Sequence, residues 1–161
     1  MKLFTISEFL KKRLILTFGG IILFFIYIVY KPFNIDGDSM SPSYENKETI
    51  WANRMSYDFI SPKIFDVIVF YDFIDDEFLI KRVIGIPDDK IEIINGDIFI
   101  NDILLTDEFS YSKVLNYETL ELANESVFII PEDYFWVIGD NRDSSWYGLI
   151  HKDEIIGKVI D

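Results

Sequence analysis

The hydrophobic positions near the N-terminus form one unbroken run rather than an alternating pattern. Residues 14–30 contain no charged side chain in 17 positions, which suits a membrane-spanning helix at the short end of the usual length. The cationic residues Lys11, Lys12 and Arg13 precede the run directly. The positive-inside tendency therefore predicts that residues 1–13 are cytoplasmic, that residues 14–30 form a transmembrane anchor and that residues 31–161 lie outside the membrane.

Two other interpretations of this run fit its sequence less well than the anchor. A buried core helix usually keeps a polar face, which this run lacks. A cleavable leader ends in small residues at the cut site, whereas Val29, Tyr30, Lys31 and Pro32 follow here. We therefore expect an uncleaved anchor.

After residue 32 the pattern changes to short segments rich in β-branched and aromatic residues. Residues 66–71, 78–84 and 134–138 are predicted strands. No segment between them has the length and the 3.6-residue period of a good helix. The fold class we predict is mostly β, with a single exported β-rich domain preceded by one N-terminal transmembrane helix.

A hairpin and an insertion complete this outline. Residues 91–94 and 97–100 flank Asn95 and Gly96, a pair that supplies the two positive-φ residues of a type I′ turn. The stretch from about residue 106 to residue 126 is acidic and irregular. We interpret it as an insertion in the exported domain.

Composition narrows the possible functions. The chain has no cysteine and a formal net charge of −13. An acidic body is a poor nucleic-acid binder because phosphate contacts need clustered cations, so we expect no nucleic-acid partner. Neither a metal-ligand cluster nor a phosphate-binding glycine loop is evident. We therefore predict no metal and no cofactor.

Few residues remain that could activate a nucleophile. The only histidine, His151, is more simply a surface residue in a loop. Lys81 lies within an apolar strand, and burial of a lysine disfavours its ammonium form and lowers its pKa. Taken alone, Lys81 could equally be an ordinary edge-strand lysine. Ser39, just beyond the apolar run, offers a nucleophile that such a base would activate.

Three motifs around these residues resemble those of the type I signal peptidases, the proteases that remove signal peptides from exported proteins. Residues 35–43 (IDGDSMSPS) match the family's nucleophile motif, with Ser43 in place of a threonine. Residues 81–89 (KRVIGIPDD) match its lysine motif, and residues 139–145 (GDNRDSS) match its third motif. Residues 148–158 (GLIHKDEIIGK) resemble its closing segment, so the matches run in order from about residue 10 to residue 160.

The resemblance implies a role for each matched residue. Ser39 would be the nucleophile and Lys81 the general base, and Ser145 would orient the lysine by a hydrogen bond. Asp140 and Arg142 would stabilise the site from behind, with Arg82 as a partner for Asp140. The Ser39 backbone N–H would help form the oxyanion hole. Gly37 stands where some relatives have a serine, so backbone donors would serve alone.

The resemblance also implies the substrate and its binding mode. Signal peptides of exported precursor proteins would lie extended beside residues 34–37 and residues 79–81, which include Leu79, and would pair as an added strand. Ile35, Met40 and Ile80 would form shallow apolar pockets that favour alanine-like residues. The anchor would hold this groove against membrane lipid on the outer side of the cell membrane.

Some positions depart from the family pattern. Lys47, Phe65 and Asp88 stand where glycine is common, and Asp88 after Pro87 is expected to form a type I turn without positive φ. The segment after Ser145 is shorter by about four residues. Two functions therefore stay open: an active peptidase, and a family-derived assembly factor that binds exported surface subunits. A self-cleaving serine–lysine repressor fits less well, because no DNA-binding segment precedes the body.

Overall fold

A long N-terminal helix leads into the body of the protein. The computed structural model of the chain describes residues 2–106, 108–110 and 127–160, with side chains from residue 8 onward. Helix α1 spans Lys2–Val29, and its segment Glu8–Val29 is long and apolar enough to cross a membrane by length and composition. The helix thus begins before the predicted anchor, because residues 2–13 contain neither proline nor glycine to interrupt it. The predicted insertion at 106–126 lies largely outside the described residues.

Eleven strands form the described part of the body. They are β1 (Tyr30–Asn34), β2 (Thr49–Asn53), β3 (Val67–Asp72), β4 (Glu77–Gly85), β5 (Lys90–Ile94), β6 (Asp97–Ile100), β7 (Ile103–Leu104), β8 (Val127–Ile129), β9 (Tyr134–Ile138), β10 (Tyr147–His151) and β11 (Ile155–Ile160). A seven-stranded sheet has the order β1–β2–β11–β3–β4–β9–β10, and a four-stranded sheet has the order β7–β6–β5–β8. The mostly β fold and the strands expected at β3, β4, β5, β6 and β9 are confirmed.

Two turns illustrate what the local sequence determines. Asn95 and Gly96 have φ values of 52° and 81°, so the predicted type I′ hairpin between β5 and β6 is confirmed. The prediction for Asp88 was wrong, because its φ is 71°. The Asp89 N–H donates to the Ile86 carbonyl at 3.1 Å, and a turn with Pro87 second and a positive φ third is of type II. The Asp88 N–H also donates to the Ile130 carbonyl at 3.0 Å, and this hydrogen bond favours the type II turn.

A gap in the larger sheet positions the site. Strand β3 pairs with β4 along residues 77–82, whereas β9 pairs only with Arg82–Gly85. Among the described strands, residues 77–81 therefore have a partner on one side only, and β1 likewise pairs only with β2. All neighbours from β1 to β4 are antiparallel, so β1 and β4 run in the same direction. Their open edges approach where the Phe33 and Phe78 rings lie 5.3 Å apart.

Candidate active site

The nucleophile and base predicted from the sequence meet at the end of this gap. Ser39 lies in the loop after β1 and Lys81 in β4, and the Lys81 Nζ lies 2.7 Å from the Ser39 Oγ. Lys81 is only 3% exposed. Met40, next to Ser39, is fully buried in the core behind the loop. Met40 thereby holds the nucleophile turn, which we define as residues 37–43, against β4.

Burial changes the proton affinity of Lys81. It lowers the pKa of the Lys81 amine from 10.5 to about 8, and the nearby charges of Glu77 and Asp140 oppose only part of that shift. About one molecule in ten then carries a neutral amine at pH 7, compared with about one in a few thousand for a free lysine. A neutral amine within hydrogen-bonding distance of a hydroxyl is able to accept its proton.

The segment of the third motif, residues 139–145, holds the nucleophile turn through hydrogen bonds to its backbone. The Asn141 N–H donates to the Ser39 carbonyl at 3.0 Å, and the Asn141 Nδ2 donates to the Asp38 carbonyl at 3.1 Å. A Cβ at Gly139 would lie 2.1 Å from the Ser39 carbonyl oxygen, so only glycine fits there. Asn141 and Gly139 are missed as positioning residues by sequence reasoning, although the motif contains both.

A buried ion pair joins β4 to the same segment. Arg82 binds Asp140 with two hydrogen bonds, of 2.8 Å from Nε and 2.6 Å from Nη2, which confirms the predicted partnership. Both side chains are almost completely buried. The Arg82 Nη1 also donates to the Phe65 carbonyl at 3.0 Å, and the Phe109 ring covers the guanidinium at 3.6 Å. Bidentate geometry together with these further contacts satisfies the buried charges.

Arg142 and Ser145 complete the segment. Arg142 is buried, and its Nε donates to the Gly139 carbonyl at 3.2 Å. The Ser145 hydroxyl accepts from the Gly139 N–H at 2.7 Å and donates to the Trp146 carbonyl at 2.7 Å. Lys81 is thus not among its hydrogen-bond partners in the described part of the chain, contrary to our expectation. Strand β10 begins at Tyr147, two residues after Ser145, and the Trp146 carbonyl between them lies next to the Ser145 hydroxyl. That carbonyl accepts the only proton that the hydroxyl can donate.

Backbone donors near the nucleophile differ in availability. The Gly37 N–H donates to the Asn46 Oδ1 at 3.2 Å and is committed to the loop. The Ser39 N–H donates no hydrogen bond within the part of the chain that the structure describes. It is therefore available to donate to a further acceptor.

A narrow apolar groove leads along the gap to Ser39. Ile35, Leu79 and Ile80 line it as predicted, together with Phe33 and Phe78, which sequence reasoning missed. The groove encloses only about 40 Å³, which suits small side chains. Met40 does not line it, because the side chain is fully buried in the core. Gly37 lies at the start of the nucleophile turn rather than in the groove wall.

His151, the other residue considered as a base, has a structural role. The His151 Nδ1 accepts from the Asp153 N–H at 3.3 Å and caps the short 3-10 helix Lys152–Glu154. Within the described residues, no three histidine, aspartate or glutamate side chains are grouped so that they could hold a metal ion.

Comparisons with known proteins show the family of this chain. The family model described as signal peptidase, peptidase S26, matches residues 6–160. Signal peptidase IB of Staphylococcus aureus is 32% identical in a match that covers 95% of this chain and 88% of that protein. The chloroplastic thylakoidal processing peptidase 1 of Arabidopsis thaliana is 27% identical and covers 81% of this chain and 41% of its own length.

A solved structure gives the same result. The crystal structure of a signal peptidase I from Enterococcus faecalis matches with a TM-score of 0.50 and 28% identity, over 62% of this chain and 97% of that one. The family match and these relatives define the class of protein as a serine peptidase. The chain belongs to the signal peptidase family, peptidase S26.

Proposed function

We propose that this protein is a membrane-bound endopeptidase that removes signal peptides from exported precursor proteins. The observation that carries the proposal is the 2.7 Å contact between the Ser39 Oγ and an almost fully buried Lys81 amine. A buried amine without a carboxylate in hydrogen-bonding contact is costly to the fold. Its retention next to a serine hydroxyl favours a catalytic role over a purely binding one.

The reaction begins with the neutral form of Lys81. As the Ser39 Oγ attacks the carbonyl carbon of the scissile peptide, its proton passes to the Lys81 Nζ. Negative charge then develops on the carbonyl oxygen, where the Ser39 N–H is able to donate. The lysine returns its proton to the leaving amine, and the peptide bond breaks to leave an ester on Ser39. Lys81 next takes a proton from a water molecule as the water oxygen attacks the ester carbonyl carbon. The bond from that carbon to the Ser39 Oγ then breaks, and Lys81 returns the proton to the Ser39 Oγ.

The gap between β1 and β4 supports a binding mode for the substrate. An extended peptide that enters it would bond to backbone groups of both open edges, as in other cases of strand addition. The apolar walls formed by Ile35, Leu79 and Ile80 leave little volume near Ser39. We therefore expect small, alanine-like residues to be favoured just before the cut.

Helix α1 supports a location for this chemistry. The cationic residues 11–13 precede the uncharged segment, which favours a cytoplasmic N-terminus and a catalytic domain on the outer side of the cell membrane. Signal peptides would emerge next to the groove there. The acidic body gives no reason to expect a nucleic-acid partner.

A cleavage assay tests the proposal. The full chain in detergent micelles is incubated with a purified precursor that carries an alanine-rich cleavage site, and the products are identified by mass spectrometry. We expect Ser39→Ala and Lys81→Ala each to lower the rate by roughly 10³-fold or more. Ser41→Ala, in the same turn, and Lys47→Ala, on the surface, are matched controls that should keep the wild-type rate. Equal rates for wild type and Ser39→Ala would refute the assignment.

A further inference from the structure

Two aromatic side chains, Phe65 and Phe109, meet at the buried ion pair of Arg82 and Asp140. The two ring centroids lie 5.5 Å apart, and the Phe109 ring lies 3.6 Å from the Arg82 guanidinium. Phe109 is one of the described residues of the predicted insertion, and Phe65 lies two residues before β3. Neither ring is among the described residues that line the substrate groove. Any effect of these rings on the reaction must therefore pass through Arg82.

Phe65 keeps an unfavourable backbone conformation at this contact. Its φ is 72°, a region that a bulky side chain enters only at a cost in conformational energy. The Phe65 N–H donates to the Val83 carbonyl at 2.7 Å, and the Phe65 carbonyl accepts from the Arg82 Nη1 at 3.0 Å. Such a conformation persists only where the surrounding contacts determine it. Here it lets the carbonyl bind Arg82 while the ring contacts Phe109.

The Arg82 guanidinium connects two segments around the nucleophile. It binds Asp140 through Nε and Nη2, and Nη2 also donates to the Ser43 Oγ at 3.5 Å. Ser43 belongs to the nucleophile turn, and Asp140 belongs to the segment whose backbone bonds to the Ser39 carbonyl. The position of the guanidinium therefore helps to set the position of the turn that carries Ser39.

A cavity beside Arg82 brings water close to this ion pair. Arg82 and Phe109 both line the cavity, whose volume of about 440 Å³ is ample for water. Asp66 is the one carboxylate among the described lining residues, and the Lys158 Nζ binds it at 2.6 Å. Water that reached the guanidinium would weaken its attraction to Asp140, because a higher dielectric reduces Coulomb energy. Arg82 is nevertheless only 5% exposed, since the Phe109 ring covers the guanidinium.

We propose that Phe109 is a positioning residue for the peptidase reaction. Its ring keeps water from the Arg82–Asp140 ion pair, which in turn fixes the position of Ser39. Phe65 supports this ring and orients the guanidinium through its carbonyl. A cation gains more from an aromatic face in a desolvated site than in water, so an aliphatic side chain should not replace Phe109. The kinetic consequence rests on the proposed peptidase function, whereas the shielding of Arg82 is measurable without a substrate.

Proton exchange at the Arg82 Nε–H measures this shielding directly. The full chain is isotope-labelled for NMR in detergent micelles, and the Arg82 signal is identified by its loss in Arg82→Lys. We expect this proton to exchange with water about tenfold faster in Phe109→Leu than in wild type, since access of water governs the exchange. Phe59→Leu, at a ring that is 92% exposed, is the matched control and should leave the rate unchanged. Unchanged exchange in Phe109→Leu would overturn the proposal.

Cleavage kinetics separate a positioning role from a role in folding alone. The kcat and KM for the precursor are measured in the same micelles, and kcat is referred to the amount of folded enzyme. Phe109→Leu should lower kcat about tenfold, because a small displacement of the nucleophile is costly. KM should stay within about twofold, because the ring does not line the groove. Phe109→Tyr or Phe109→Trp should restore most of kcat, since each presents an aromatic face to the cation.

The outcomes distinguish this inference from the proposed function. If Ser39→Ala cleaves as fast as wild type, the peptidase function itself is refuted. If Ser39→Ala is inactive and Phe109→Leu keeps the wild-type kcat, only the role of Phe109 is refuted. That role is also overturned if the loss in Phe109→Leu is confined to KM or to the amount of folded protein, or if neither aromatic variant recovers kcat. A lower kcat that an aromatic residue recovers supports the proposal.

Discussion

Lys81 combines a basic side chain with almost complete burial, and this combination has a cost for the fold. The folded pKa of about 8 lies below the ordinary value of 10.5, so the unfolded chain binds the proton more tightly. Stability therefore rises with pH between about 8 and 10.5 and carries the full penalty below pH 8. A shift of this size corresponds to about 3 kcal/mol.

Lys81→Met should therefore stabilise the protein while abolishing cleavage. We expect a gain of about 1–3 kcal/mol at pH 7, because an apolar side chain of similar length removes the desolvation penalty. The loss of the hydrogen bond between Lys81 and Ser39 offsets part of this gain in stability. Thermal unfolding in detergent measures the difference, which should vanish near pH 10.5. A lower melting temperature for Lys81→Met at pH 7 would show that the lysine stabilises the fold.

Ser145 offers a second test at the scale of one residue. Its hydroxyl bridges the Gly139 N–H and the Trp146 carbonyl, so Ser145→Ala should cost about 1–2 kcal/mol of stability. The remaining activity should keep the wild-type dependence on pH, because Lys81 loses no partner. If Ser145→Ala instead shifts the pH profile of kcat/KM, the hydroxyl orients the lysine during the reaction.

At the scale of elements, one buried ion pair connects β4 to the segment that holds Ser39. Asp140→Asn leaves the Arg82 charge buried without its partner, and we expect a loss of about 3–5 kcal/mol. The exposed pair of Lys152 and Asp133, 2.8 Å apart, is the control, and Asp133→Asn should cost less than about 1 kcal/mol. Chemical denaturation distinguishes the two values. Equal losses would mean that burial of the Arg82–Asp140 pair contributes nothing.

Elements also show why some features were predictable and others were not. The strands β3, β4 and β9 are continuous β-rich segments, and Asn95-Gly96 encodes its own turn, so local sequence sufficed. The turn at Asp88 was mispredicted because Pro87 suits both type I and type II turns, and a hydrogen bond to Ile130 decides between them. The edge strand β1 was missed because it contains Lys31 and Pro32.

The same contrast holds for the site. Ser39, Lys81 and the pairing of Arg82 with Asp140 follow from motif positions. The hydrogen-bond partners of Ser145 do not follow from its motif position. They depend on how few residues separate Ser145 from the start of β10 at Tyr147. Met40 was assigned to the groove wall from its place beside Ser39, but its side chain turns into the core. Side-chain direction in an irregular loop has no period from which to predict it.

The whole molecule combines three parts: an apolar helix, a seven-stranded sheet with an open gap, and a serine–lysine pair at the end of that gap. The sheet brings together residues 42 positions apart in the sequence. It buries the lysine deeply enough to supply a neutral amine near physiological pH. The central claim is that this neutral amine activates Ser39.

The pH dependence of kcat/KM tests that claim most directly, since it reports the ionisation of the free enzyme. With a precursor whose own groups do not titrate in this range, the wild-type rate should rise about tenfold per pH unit at low pH and level off near about 8, where Lys81 loses its proton. A rate that is independent of pH, or one whose rise at low pH is lost in His151→Ala, would contradict Lys81 as the base.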